Sequence, residues 1–177
     1  MPFQFHQLDS ATREFMLEEI QHDIHSGLLY ISDRLNEKGR DRWPSLLADS
    51  AAEGSDVSLA AAIRQEGLLN ETEPRKKPKG GFRTARVPVT AADTLAEGEF
   101  NRFYIRAICR RAMSQGNVFV EVIRAKHVEN PREGSEGFIG QKLNAEGTLV
   151  DLRANPGFDA VLGLPPGPNS GLSVRFG

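Results

Sequence analysis

Apolar positions near the start of the chain recur at helical spacing. The positions lie four residues apart: Met16, Ile20 and Ile24. Side chains at this spacing share one face of an α-helix. Asp9 and Ser10 are both suited to cap its N-terminus, and Gly27 is suited to end it. The pattern predicts an amphipathic helix to about His25.

The next apolar clusters predict more short elements. The run Leu28–Ile31 is consistent with a strand, and Pro44 is suited to the first position of a second helix. Ser55 or Asp56 is placed to cap a third helix. Together these elements predict a helical subdomain over residues 1–70.

The composition changes abruptly over residues 71–86. This stretch contains two prolines, a Gly-Gly pair and one aromatic residue, Phe82. Prolines and paired glycines interrupt regular structure, so we expect none over most of the segment. Its basic residues are Arg75, Lys76, Lys77, Lys79, Arg83 and Arg86. We interpret it as a linker or as a basic binding arm.

Residues 87–177 have the clearest alternation of helix and strand patterns. A short strand ends at Val89, and Thr90 or Asp93 then caps a long helix that runs to about Gln115. Val118–Ala125 alternates in the manner of a strand. A strand, a long helix and another strand predict a right-handed βαβ crossover.

The end of the chain predicts one more helix and one more strand. Asn144 is suited to cap the helix, and a Pro/Gly-rich stretch over 164–171 leads into a strand over 172–176. That stretch is either a connector or a rigid binding loop. The predicted fold class is α+β: an N-terminal helical unit, then a small sheet with a long crossover helix.

The long helix combines an apolar face with a row of arginines. Arg102, Arg106 and Arg110 repeat every fourth residue, with Arg111 beside them. Like charges at this spacing cost a few tenths of a kcal/mol per pair, so an anionic group is expected nearby. Three sources are open: the chain's own carboxylates, an acidic partner protein, or phosphate. The first source includes Glu97, Glu99, Glu121 and Glu129.

Composition limits the class of protein. The 177 residues carry a net charge of −2, so attraction to nucleic acid or to an anionic membrane must come from a local patch. The single cysteine, Cys109, excludes a disulfide framework within the chain. The chain has no signal-peptide pattern and no apolar run that would span a bilayer. We therefore expect a protein of the cytoplasm, or of a particle assembled there, without a membrane partner.

Catalytic and metal-binding motifs are not found. His22 and His25 are three residues apart on a predicted helix, but two ligands without a third are a weak metal signal. Cys109 is predicted to be a buried structural thiol. No cofactor is expected. If the chain is an enzyme, we expect a concave pocket that holds Glu97, Glu99, Asn101 or His127.

Three segments resemble a group of uncharacterised bacterial and prophage-type proteins. The segments are Leu95–Ala107, Val122–Lys126 and Leu162–Arg175. The group carries no established activity, cofactor or site, so the resemblance implies no functional residue. It implies only a role as a virion or particle component, such as a phage head or tail accessory subunit.

The preferred hypothesis is a structural or interaction protein that assembles through a protein partner or with itself. The residues expected to bind the partner, or phosphate, are Arg75, Lys76, Lys77, Lys79, Arg83, Arg102, Arg106 and Arg110. The first alternative is a nucleic-acid-binding protein that uses the same groups. The second is an enzyme of an unrecognised class.

Overall fold

The computed structural model describes residues 2–131, 133–156 and 170–177. Its described part contains five α-helices, one 3₁₀ turn and five strands. The helices are α1 Ser10–Ser26, α2 Glu37–Glu53, α3 Asp56–Gln65, α4 Ala91–Ser114 and α5 Ala145–Ala154. The strands are β1 Thr72–Lys76, β2 Phe82–Arg86, β3 Phe119–Arg124, β4 Lys142–Asn144 and β5 Leu172–Arg175, and the 3₁₀ turn is Ser135–Phe138. The predicted α+β class is confirmed.

Three of the predicted helix starts are confirmed by their caps. The side chain of Asp9 accepts a hydrogen bond from the backbone of Thr12 at the start of α1. Ser55 forms a reciprocal capping box with Ser58 at the start of α3. Asn144 caps α5 through the backbone N–H of Gly147.

The second helix begins earlier than Pro44, and that prediction was wrong. Asn36 is the N-cap, and its side chain accepts a hydrogen bond of 2.8 Å from the backbone N–H of Gly39. Pro44 lies inside α2, next to the fully buried Trp43. The run Leu28–Ile31 is a connection without regular secondary structure rather than a strand.

The predicted arm is an ordered β-hairpin, which corrects our expectation of irregular structure. β1 and β2 pair antiparallel, with Pro74 opposite Thr84. Lys77 and Gly81 face each other across a hydrogen-bonded position, since the Lys77 N–H donates to the Gly81 carbonyl at 2.9 Å. Hydrogen-bonded and non-bonded positions alternate along such a ladder. Pro74 therefore falls at a non-bonded position, where its missing N–H removes no ladder bond.

The long helix α4 is the centre of the molecule. It packs against α1, α3 and α5 and against β3 and β5, and every residue from Glu99 to Cys109 is buried. The predicted span of this helix is confirmed, but it does not have one face in solvent. Side chains from both predicted units, before and after the hairpin, share one apolar core around it.

The predicted parallel crossover is wrong. β2 belongs to the hairpin, whereas β3 lies at the centre of an antiparallel sheet of order β4-β3-β5. The two strands that flank α4 therefore never pair. The short strand predicted over 86–89 is also wrong, because β2 ends at Arg86 and residues 87–89 belong to no strand. The predicted Pro/Gly-rich loop falls largely within residues 157–169, outside the described residues.

No helix in the described ranges is long and apolar enough to cross a membrane.

Candidate functional site

The hairpin over residues 72–86 concentrates exposed positive charge. Its cationic side chains are all exposed: Arg75, Lys76, Lys77, Lys79, Arg83 and Arg86. Arg75 pairs with Glu73, and the other five make no side-chain hydrogen bond or ion pair within the described ranges. The basic hairpin therefore leaves most of its charge unbalanced.

Two of these cations face each other across the strands. Arg75 lies opposite Arg83 in the register of the hairpin, so their side chains share one face. Like charges directly opposite each other destabilise a strand pair. On the other face Lys76 lies opposite Phe82, which is 69% exposed. Each face thus presents cationic side chains that an anionic surface would stabilise.

The base of the hairpin is fixed to the body through one ion pair. Arg34, in the α1–α2 connection, donates to Glu73 at 2.6 Å and 3.3 Å through two of its nitrogens. Hydrogen bonds from Arg34 and then from Arg75 hold the pKa of Glu73 below its ordinary value. The anchor is at the base, whereas every residue of the tip over 76–82 is exposed.

Arg106 lies in the interior rather than on a cationic surface. Its side chain is fully buried and contacts two buried carboxylates of α1. The guanidinium donates to Glu19 at 2.7 Å and 2.9 Å and to Asp23 at 2.6 Å and 2.8 Å. This residue cannot contact an external partner in the folded chain, which corrects its assignment to the predicted site.

The other two arginines of the predicted stripe also bind groups of the chain itself. Arg110 pairs with Glu18 at 2.6 Å and lies over the ring of Phe15. Arg102 is buried and donates to the carbonyls of Leu152 at 3.2 Å and Asn155 at 2.9 Å. Those carbonyls belong to the C-terminal end of α5, where a positive charge is favourable. Of the three predicted anion sources, the chain's own carboxylates and carbonyls account for the stripe.

Glu19 joins three elements through one carboxylate. It accepts from Arg106 of α4 and from Arg153 of α5, the latter at 2.5 Å. Burial raises the pKa of Glu19, but the hydrogen bonds and charges of Arg153 and Arg106 outweigh it, so the pKa lies below its ordinary value. The carboxylate is therefore ionised and holds α1, α4 and α5 together.

A cavity of about 530 Å³ lies between β1, the α1–α2 connection and the N-terminal half of α4. Its lining includes Glu97, Glu99 and Asn101, three of the four residues that the enzyme hypothesis places in one pocket. The fourth, His127, lies beside a separate and smaller cavity.

The carboxylates of this cavity have basic partners. Glu97 accepts from Lys126 at 2.5 Å, and Glu99 lies 3.5 Å from the Arg102 guanidinium. These ion pairs engage the two carboxylates that acid–base chemistry in this cavity would require.

Other reactive side chains are engaged or buried. Burial, and then the charge of Glu19, raise the pKa of the Cys109 thiol to about 12, which is typical of an inert buried thiol. His22 contacts Asp23, and His25 contacts the carbonyl of Gln21. The described residues contain no group of three His, Cys, Asp or Glu side chains arranged to hold a metal ion.

Sequence reasoning missed two features. The first is the cavity wall that β1 forms, and the second is the set of carboxylates that neutralises the arginine stripe. A signal for the second was present: Glu19 and Asp23 are four residues apart on a predicted helix, as Arg106 and Arg110 are on theirs. Residues at this spacing share one helix face, so the acidic face of the first helix was a candidate partner for the arginines. No such short-range signal marks the cavity, which residues far apart in the chain create.

Comparisons with protein-family models, with curated protein sequences and with solved structures give no match to this chain. The resemblance to prophage-type proteins therefore stays a prediction, and the function is argued from the geometry alone.

Proposed function

We propose that this chain is an interaction protein that docks onto an acidic protein surface through its basic hairpin, residues 72–86. The observation that carries the proposal is the exposure of six cationic side chains on one hairpin, five of them without an ion pair to any described residue. Arg102 and Arg106 are buried and Arg110 is paired, so the residues of the predicted site that stay exposed to a partner are those of the hairpin.

The charge distribution favours a compact acidic partner. The whole chain has 22 basic and 24 acidic residues, so a body without the hairpin has a clear acidic excess. A long polyanion that touched the hairpin would be repelled by that body, whereas a local acidic patch on a protein would meet the hairpin alone. A second copy of this chain also presents an acidic body, so self-assembly falls within the proposal.

The side chains of the hairpin suit a protein surface. Arg75 and Arg83 can each bind a carboxylate through two parallel hydrogen bonds. An exposed aromatic ring at the tip, Phe82, supplies apolar contact of the kind concentrated in protein interfaces. Glu73 offsets part of their repulsion by pairing with Arg75, and a partner carboxylate beside Arg83 would offset the remainder.

Nucleic acid is the second candidate, and the shape of the element favours it. A two-stranded ribbon fits the major groove of duplex DNA, and its cations could contact phosphates on both sides. The lysines of the turn, Lys77 and Lys79, would lie deepest. The acidic body and the single aromatic side chain of the hairpin are the reasons for placing this candidate second.

A binding titration at several salt concentrations separates the two candidates. The probes are a fluorescent polyglutamate peptide of six residues, which stands for a local acidic patch, and a fluorescent 20-base-pair duplex, measured by anisotropy. The test variant combines Lys76→Ala, Lys77→Ala and Lys79→Ala. The control combines Lys38→Ala and Lys142→Ala, two exposed lysines outside the hairpin.

We expect the peptide to bind more tightly than the duplex, and the triple variant to lose about tenfold or more while the control does not. Tighter binding of the duplex, with a steep salt dependence that the triple variant flattens, would move the nucleic-acid candidate to first place. Failure of both probes to bind at low salt would reject the hairpin as a docking element.

Light scattering tests self-assembly with the same variants. If the partner is a second copy, the mass grows with protein concentration for the native chain but not for the triple variant. The more specific assignment to a phage particle stays a prediction from the resemblance alone.

A further inference from the structure

The outer edge of β2 is an unpaired strand edge. At the base of the hairpin the Val87 N–H donates to the Glu71 carbonyl at 3.0 Å, and bonded positions alternate with non-bonded ones from there toward the tip. The non-bonded positions of β2 are Phe82, Thr84 and Arg86. Their backbone N–H and C=O groups point away from β1, and no described residue bonds to them.

The outer edge of β1 is less suited to accept another strand. Pro74 lies at one of its outward positions and has no N–H to donate. Three residues of β1, Thr72, Glu73 and Pro74, also line the cavity beside the body, whereas no described residue of β2 does. β2 has no proline, and four of its five residues are exposed. An added strand therefore fits along β2 rather than along β1.

The charge of this edge selects the kind of strand that can be added. Charged side chains on an edge strand hinder its pairing with another copy of itself. The hairpin carries six cations but only one acidic residue, Glu73, which already pairs with Arg34 and Arg75. A second hairpin would be repelled, whereas a strand with acidic side chains would be attracted.

The two faces of β2 indicate which side chains the added strand carries. Side chains alternate along a strand, so Arg83 lies on one face, and Phe82 and Arg86 lie on the other. Carboxylates on both faces of the added strand would contact the two arginines. An apolar side chain near the tip would contact Phe82, which is 69% exposed. The matching segment is thus acidic on both faces.

We propose that β2 binds an extended acidic segment of the partner protein as an added strand. The main chain of the segment pairs with the outward groups of Phe82, Thr84 and Arg86, and its carboxylates contact Arg83 and Arg86. Main-chain bonds supply affinity in this mode of binding, and side chains supply specificity. This inference rests on the proposed docking of the hairpin, and it adds the strand that is used and the form of the partner.

A proline at Thr84 tests the main-chain contact without changing any charge. Thr84 lies directly opposite Pro74 at a non-bonded position, so Thr84→Pro removes an outward N–H and no bond of the hairpin. We expect this variant to bind the fluorescent polyglutamate peptide of six residues at least tenfold more weakly than the native chain. The control is Thr84→Val, which keeps the N–H and should bind with native affinity.

Amide hydrogen exchange, followed by NMR, tests the pairing directly. In the free chain the outward amides of Thr84 and Arg86 should exchange fast, and the amide of Arg83, which lies at a bonded position, should exchange more slowly. Saturation with the peptide should slow Thr84 and Arg86 at least tenfold. The outward amide of Lys76 on β1 should not change.

These measurements separate a failure of this inference from a failure of the proposed function. If Thr84→Pro binds the peptide with native affinity, or the Thr84 amide of the native complex is not slowed, the hairpin docks through side chains alone. The added strand is then rejected and docking by the hairpin stands. If the native chain does not bind the peptide, both are rejected.

Two controls complete the test. Slow exchange of the Arg83 amide in Thr84→Pro shows that the variant keeps its hairpin; if that protection is lost, the Thr84 amide of the native complex decides alone. Slowing of the Thr84 amide with protein concentration, in the absence of peptide, would assign the edge to a second copy of the chain and overturn the choice of an acidic segment.

Discussion

Replacement of Arg106 by methionine should be among the most damaging single changes in this chain. The side chain is fully buried, and it makes two hydrogen bonds to Glu19 and two to Asp23, each 2.9 Å or shorter. Methionine keeps an unbranched apolar stem but is shorter and carries no charge. The variant therefore leaves two buried carboxylates with much of their compensation removed.

The expected cost follows from what the variant leaves behind. Removing one partner of a buried ion pair costs about 3–5 kcal/mol, because the remaining charge stays out of water. Arg153 and Arg110 still contact Glu19, so the larger penalty falls on Asp23. We expect a loss of about 3 kcal/mol or more, a large share of a typical stability of about 5–15 kcal/mol.

Urea unfolding followed by circular dichroism measures this loss. The matched control is Arg110→Met on the same helix, where the guanidinium is partly exposed and a loss of about 1 kcal/mol or less is expected. An equal and small loss in both variants would refute the idea that Arg106 is a buried structural charge. The stripe would then be open to partners after all.

Three further predictions follow from single sites. The pKa of Glu19 is lowered in the folded chain, so its contribution to stability is complete above the ordinary pKa of 4.5. That contribution is lost as the pH falls through the folded-state pKa. The free energy of unfolding, measured from pH 7 to pH 3, should therefore decline more steeply in the native chain than in Glu19→Gln. The Cys109 thiol has a pKa of about 12, so it should not react with an aromatic disulfide reagent at pH 8 while the chain is folded. It should react once guanidinium unfolds the chain. Fast labelling of the folded chain would contradict the burial of this thiol. Gly39→Ala should destabilise the chain by about 1–3 kcal/mol, because the new Cβ would meet the Leu68 carbonyl oxygen. Gly98→Ala should be neutral or stabilising, because its Cβ would meet no described atom within 4 Å and alanine favours a helix. The opposite order of the two unfolding free energies would contradict this packing.

Local signals predicted the helices well, because caps and periodicity act within a few residues. Asp9 and Ser55 each bind the backbone of the first turn that they were expected to cap. The start of α2 was misplaced because Pro44 suggested a first helical position, whereas Asn36 makes the actual cap. Pro44 instead lies inside α2, half-buried beside the buried Trp43.

The hairpin and the arginine stripe show why the site was predicted only in part. Pro74 is compatible with a strand because it lies at a non-bonded pair of the hairpin. That depends on the register of the two strands, which the presence of a proline in the sequence does not reveal. The helical period of the arginines was correct, yet their exposure depended on which helices cover α4. Glu19 and Asp23 supply the opposite charges from a distant helix, so the stripe became a structural network and the cationic surface moved to the hairpin.

The central claim is that contact with an acidic partner is made by the hairpin and not by the arginines of α4. Backbone amide NMR of the ¹⁵N-labelled chain, titrated with the polyglutamate peptide, tests it directly. The account predicts shift changes that cluster within residues 72–86, while the amides of Arg102 and Arg106 stay in place. Changes centred on α4, with the hairpin amides unmoved, would contradict it.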